Sequence, residues 1–342
     1  MSAAHDWPAL GVRCPRCLEE LDADANALKC VKCSTIYPIH HGIPDLRTGE
    51  DPYLSRDADL AAANALAARA ETMSFRDLLA SYYSTNDKVP ADQVALFTQG
   101  ALAAAERAEV TLSAWERQDA RADCIAPSLA NLLDVGCGTG PLAIAAARRG
   151  WRIIGVDVGL RWLVLAQKRA IEAGLDIPFI CANAEVLPFC DGVMTRVAGE
   201  SILENTTDPT QALHEFSRVL VRGGRLWLTT PNKRSLGPDP HLGVAAGGWW
   251  PEGLLRRHAE RSGKVYPKRK LFTRGELRDL LEAADFGAID FTLPDVSQAQ
   301  RETQTRVMQG AIAGYQALKR LPIAGSLIGS VAPTFLITAT RI

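Results

Sequence analysis

Four cysteines stand in two pairs, Cys14-x-x-Cys17 and Cys30-x-x-Cys33. Two knuckles at this spacing can close four thiolates tetrahedrally on Zn²⁺, which takes sulfur at about 2.3 Å. With every ligand a thiolate, no coordination position is left open for catalysis, so the zinc would be structural. The surrounding segment, residues 10–46, is too short to build a stable core, and metal binding would supply much of its folding energy. The competing reading is two disulfides or unliganded cysteines.

A second group of residues lies at Asn131–Gly140, NLLDVGCGTG. An apolar run meets Asp134, and Gly136, Gly138 and Gly140 follow at alternate positions. Glycine lets the chain turn sharply and leaves main-chain N–H groups open to a ligand. Pro141 and Gly150 then bracket a helix. The next apolar stretch, WRIIGVDV, ends in Asp157-Val158, an acid placed to accept from ribose hydroxyls. The spacing D-x-G-x-G-x-G departs from the dinucleotide pattern G-x-G-x-x-G. Asp134 would repel a pyrophosphate and suits a cationic, phosphate-free ligand, which favours S-adenosylmethionine (SAM) over NAD.

At these residues the chain resembles the class I SAM-dependent methyltransferases, whose first two motifs look like LLDVGCGTG and VDV. The resemblance implies that Gly136, Gly138 and Gly140 offer backbone to the methionine part of SAM and that Asp134 faces its amino group. It implies ribose contacts from Asp157, adenine contacts from Asn183 and Ala184, and Glu200 at the mouth where the methyl group leaves. Three places depart from the family pattern. Asn183 replaces the usual Asp, Met194-Thr195 the usual Phe-Asp, and Glu204-Asn205 the usual Glu-His. The cysteine segment, with CPRC, CVKC and YPIHHGIPDL, resembles small zinc-ribbon proteins that activate tRNA and translation-factor methyltransferases. There the ribbon is a separate chain; here it is fused.

The elements that must position these residues alternate as strand and helix after about residue 125. The expected fold is α/β: a doubly wound, mostly parallel sheet with an antiparallel final strand, a helical cap and an N-terminal zinc ribbon. Domain boundaries are expected at 1–48 for the ribbon, 49–125 for an Ala-rich helical cap, and 126–342 for the methyltransferase domain. Asp208-Pro209 starts a helix that Gly223-Gly224 should end, and Thr273 and Glu276 are spaced as a capping box. Residues 232–272 form a long insertion, expected to be a lid. It carries Asp239, His241, Trp249 and Trp250. His241 is the candidate general base, because its ordinary pKa lies near working pH; the alternative is a surface histidine. A basic run follows, comprising Arg256, Arg257, His258, Arg261, Lys264, Lys268, Arg269 and Lys270. It reads either as a phosphate-binding stretch or as a solvated face.

Acids and bases nearly cancel over the 342 residues, giving a net charge of −1, so no global field draws the chain to nucleic acid or membrane. No apolar run is long enough to span a bilayer, and the N-terminus lacks a secretory pattern. A cytoplasmic, reduced setting is expected. The oligomeric state leaves no signal. The leading functional expectation is methyl transfer from SAM to a small-molecule or glycan-like acceptor, at oxygen. The alternatives are an RNA methyltransferase that holds RNA with the ribbon and residues 256–270, and a non-catalytic SAM-binding scaffold.

Overall fold

The computed structural model describes residues 5–51, 53–86, 89–119, 131–237, 239, 242–262, 266, 269–295, 306–318 and 329–342. The ribbon is a four-stranded antiparallel meander of β1 (Leu21–Ala23), β2 (Ala27–Cys30), β3 (Ile36–His40) and β4 (Ile43–Pro44). Three cap helices follow: α1 (Arg56–Ala70), α2 (Phe75–Ser84) and α3 (Val94–Asp119). The expected boundary near residue 125 lies outside the described residues.

The main sheet holds β5 (Asn131–Val135), β6 (Arg152–Asp157), β7 (Phe179–Cys181), β8 (Met194–Glu200), β9 (Leu220–Pro231), β10 (Phe286–Thr292) and β11 (Thr334–Arg341). Their order is β10-β11-β9-β8-β5-β6-β7. Strands β5 to β9 pair in parallel, and β11 runs antiparallel to both β9 and β10. Helices α4 (Pro141–Arg148), α5 (Leu160–Glu172), α6 (Pro209–Val219), α7 (Glu252–Arg261), α8 (Arg274–Ala283) and α9 (Arg306–Leu318) fill the connections. The sheet is buried on both faces, as its near-continuous apolar strands require. One face packs on α3, α4 and α5; the other packs on α6, α8 and the ribbon.

Local signals place the helix ends. Asp208 accepts from the Thr210 and Gln211 N–H groups with Pro209 in the first turn, and Thr273 with Glu276 closes a full capping box. One end differs from expectation. Helix α6 stops at Val219, not at Gly223-Gly224, and Leu220 already begins β9. The two glycines instead serve a register shift between β8 and β9, where Gly223 takes φ +76°.

The ribbon is docked on the sheet rather than tethered to it. Its residues Val12 and Asp45 bridge to Phe189 and Cys181, and Leu46 N–H donates to the Cys181 carbonyl at 2.8 Å. Beyond that edge, a chain of buried ions joins three segments. Arg47 grips Asp45 and reaches Asp59 on α1 at 2.8 Å. Arg161, in the first turn of α5, reaches Asp59 at 2.6 Å and Asp51 at 2.8 Å. Asp59 is fully buried and also accepts from the Leu160 N–H, so it caps α5 from another helix. Removing one partner of such a set strands the other charges away from water. Asp59→Ala is therefore expected to lower the unfolding free energy by about 3–5 kcal/mol in denaturant titration; a loss under about 1 kcal/mol would show that water reaches the two guanidiniums.

Candidate functional site

The glycine loop leaves β5 at its carboxyl end, where open α/β sheets bind ligands. The Gly136 and Cys137 N–H groups both donate to the Val156 carbonyl, at 2.8 and 3.0 Å, which pins the loop to β6. Gly136 has φ +73°, and a Cβ there would lie 2.7 Å from Ile202. At Gly138, φ is +52° and nothing would meet a Cβ within 4 Å, so the backbone faces open space. The Gly138 N–H donates to Asp157 Oδ2 at 2.9 Å, and the Gly159 N–H donates to Oδ1 at 2.8 Å. Each oxygen keeps a further lone pair.

A cavity of 310 Å³ opens here and brings together six of the expected residues: Gly136, Gly138, Asp157, Val158, Asn183 and Ala184. Gly140, Asp134 and Glu200 are not on its wall. Gly140 caps α4 at φ +71° and packs on Ala166 and Phe179. Asp134 lies beneath the loop, 2% exposed, and its Oδ2 has no hydrogen-bond partner. Burial raises its pKa well above the ordinary value, and the charges of Glu200 and Asp157 add to the shift. Glu200 is hydrogen-bonded to Thr111 on α3 and is also raised, chiefly by burial. Burial likewise raises Asp157, against the pull of its two N–H donors.

Asn183 is directed elsewhere than expected. Its Oδ1 accepts from the Thr48 and Gly49 N–H groups, at 3.1 and 3.0 Å, so the oxygen holds the chain leaving the ribbon. That chain then supplies Glu50, Asp51 and Tyr53 to the cavity wall. The Tyr53 hydroxyl donates to Asn205 Oδ1 at 2.8 Å, across from the glycine loop. These residues carry no motif, and only the contact with Asn183, 135 positions away, reveals them.

Glu204 follows β8 in a short turn, 3% exposed. Its Oε2 accepts from the Thr230 hydroxyl at 3.0 Å, and its carbonyl accepts from the Lys270 N–H at 2.8 Å, joining it to the insertion. His241 lies outside the described residues, as do Lys264 and Lys268. Among its described residues the insertion folds on itself. Asp239 pairs with Arg269, and Leu242, Leu255 and Ala259 form a small core with Tyr266. Trp249 and Trp250 stay about half exposed, the former donating from Nε1 to the Arg234 carbonyl at 3.1 Å. In the basic run Arg256 is paired with Glu252 at 2.6 Å and Arg269 with Asp239, which neutralises part of its charge.

In the ribbon, the Sγ atoms of Cys14, Cys17, Cys30 and Cys33 all lie within 4.8 Å of one another. The Cys14–Cys33 and Cys17–Cys30 separations are 3.6 and 3.5 Å. A zinc–sulfur bond of about 2.3 Å implies a tetrahedral edge of about 3.8 Å, whereas a disulfide needs about 2.05 Å. The donor set therefore fits a tetrathiolate metal. A hydrogen bond with the Thr35 hydroxyl lowers the Cys33 thiol to about 6, whereas, against a backbone hydrogen bond at Glu19, desolvation and the other three thiols raise Cys17.

Part of the chain is similar to known proteins. The family described as a methyltransferase domain matches residues 133–228, from β5 to β9. Demethylmenaquinone methyltransferase of Thermus thermophilus is 38% identical over 97 residues, 28% of this chain and 44% of that protein. Ubiquinone biosynthesis O-methyltransferase of Idiomarina loihiensis is 33% identical over 130 residues, 36% of this chain and 51% of that one. The chain spans about half the length of the curated relatives it matches. A crystal structure of an S-adenosylmethionine dependent methyltransferase from Mesorhizobium loti aligns with TM-score 0.45 and 19% identity, covering 65% of this chain and 95% of that one. Residues 133–228 thus match a methyltransferase domain.

Burial pushes Glu204 from 4.5 up to about 7. A carboxyl group raised by folding contributes stability below its unfolded value, and that contribution is lost as pH rises through its folded value. Wild type should therefore lose about 2 kcal/mol relative to Glu204→Gln between about pH 5 and pH 8. Denaturant titrations across that range check it, and a constant difference would place Glu204 in contact with water.

Proposed function

We propose that the protein transfers a methyl group from SAM to a small-molecule acceptor, at oxygen. The observation that carries this reading is the cavity that joins the open Gly138 backbone, Asp157 and Ala184 above Asp134, whose Oδ2 has no hydrogen-bond partner. The buried Asp134, whose charged neighbours Glu200 and Asp157 are themselves acids, suits a ligand that brings an ammonium and a sulfonium, and it disfavours a pyrophosphate. When bound, SAM supplies an activated methyl group, and its transfer to a hydroxyl releases one proton. Gly136 and Gly138 present backbone to the methionine part, and Asp134 answers its amino group through the buried carboxyl. Asp157 accepts from the ribose hydroxyls with its remaining lone pairs, and Ala184 packs on the adenine. The acceptor enters at the carboxyl end of β8, between the turn holding Ser201 and Asn205 and the lid of residues 232–272. His241 in that lid takes the released proton. The four ribbon cysteines hold a structural zinc.

The name of the Idiomarina relative, a ubiquinone biosynthesis O-methyltransferase, supports oxygen as the accepting atom, and the demethylmenaquinone methyltransferase supports only the small-molecule class. The RNA alternative draws on the basic run, where Arg256 and Arg269 are already paired within the lid.

Tritiated SAM should label a small-molecule extract rather than total RNA. Label in RNA alone would overturn the acceptor class, and label in neither pool despite SAM binding would make the protein a scaffold. Asp157→Ala is expected to weaken S-adenosylhomocysteine binding at least tenfold, about 1.4 kcal/mol, by calorimetry; unchanged affinity would remove Asp157 from the ribose site.

A further inference from the structure

The ribbon is continuous with the cofactor cavity. Its buried side chains, Val12, Leu21, Leu28 and Tyr37 among them, belong to the same core cluster as Leu187 and Phe189 of the catalytic domain. Its last strand, β4, leads directly into Asp45 and Leu46, which pair with the end of β7. The next residue, Arg47, enters the buried ion chain through Asp59, and its guanidinium also donates to the Val158 carbonyl at 3.1 Å, behind the ribose acid. Thr48 and Gly49 are then clipped by Asn183, and Asp51 is held by Arg161. The wall formed by Glu50, Asp51 and Tyr53 is thus the tail of the ribbon, fixed at one end by the ribbon's fold and at the other by Asn183 and Arg161.

We infer that metal at the four cysteines and cofactor in the cavity bind with positive coupling, because Thr48, Gly49, Asp51 and Tyr53 are positioned by both. This rests on the methyltransferase reading given above. The physical basis is the small size of the ribbon. Its short strands cannot hold their fold without the metal. When the metal leaves, the Asp45–Leu46 pairing and the anchor of Arg47 loosen together, and the wall loses its near end. A ligand that needs the wall then meets a fraction of chains with it in place, and its apparent affinity falls by that fraction. Coupling of this kind is reciprocal: the ligand that fixes the wall must also slow metal loss. Asn183 is here a positioning residue, acting through the Thr48 and Gly49 N–H groups.

The test uses the full chain. S-adenosylhomocysteine is titrated by calorimetry into zinc-loaded protein and into protein stripped by a chelator, with circular dichroism confirming that the main helices persist. The expected result is at least tenfold weaker binding after stripping. Because stripped protein can aggregate, a second measurement keeps the metal in place at the start. Zinc release to a metallochromic indicator is followed with and without saturating S-adenosylhomocysteine, and should be slowed several-fold by it. In Asn183→Ala the zinc content should be retained, but the nucleoside should no longer slow its release. Equal affinity in loaded and stripped protein, or equal release rates with and without the nucleoside, overturns the coupling and leaves the methyltransferase reading intact. A chain that takes up no zinc also overturns it. Absence of S-adenosylhomocysteine binding in the zinc-loaded chain overturns both.

Discussion

Asp59 is the point on which the rest of the structure depends. It is a fully buried carboxylate on the cap helix α1, with one oxygen shared between Arg47 and the Leu160 N–H and the other held by Arg161. An isolated charge at such a site would cost several kcal/mol. It is tolerated because the two guanidiniums and the backbone of α5 satisfy it together. The consequence is geometric. The ribbon tail, the cap and the first turn of α5 can take only one arrangement, and that arrangement sets Asp51 and Arg161 on the wall of the cofactor cavity.

An electrostatic imbalance at and beneath the cavity wall points to its ligand. Asp134 lies buried next to the half-buried Asp157 and Glu200, and desolvation raises all three. Each would be more stable protonated or opposite a cation. Asp134 has an oxygen with no partner at all. A fold does not gain from this arrangement in its own right, whereas a cationic, phosphate-free ligand does. The open Gly138 backbone, where a side chain would meet nothing, completes a cradle that packing alone does not require.

Much of this was legible from residue order. The glycine loop, Asp157, Pro141 and the cysteine pairs are local signals, and each records a backbone or ligand demand within a few residues. The α/β class followed from the alternation of elements, whereas the strand order is set by tertiary pairing. The ribbon tail was not legible, since its contacts with Asn183 and Arg161 span more than 100 positions and carry no periodic pattern. Asn183 looked like a weakened adenine contact because only its type was visible, not the direction of its Oδ1. The end of α6 was misjudged for a related reason: a Gly-Gly pair serves a helix terminus or a sheet irregularity equally well, and only the pairing of β9 with β8 decides. Glu204 keeps the acid of the family's Glu-His pair, with Asn205 in place of the histidine, but its burial and its contacts with Thr230 and Lys270 come from tertiary packing.

The central claim is that these buried acids and open glycines form a site for SAM. Calorimetric titration of the zinc-loaded chain with SAM, with NAD as the control ligand, tests it most directly. The account predicts saturable binding of one SAM per chain and no measurable binding of NAD. Binding of NAD, or no binding of SAM, would contradict it.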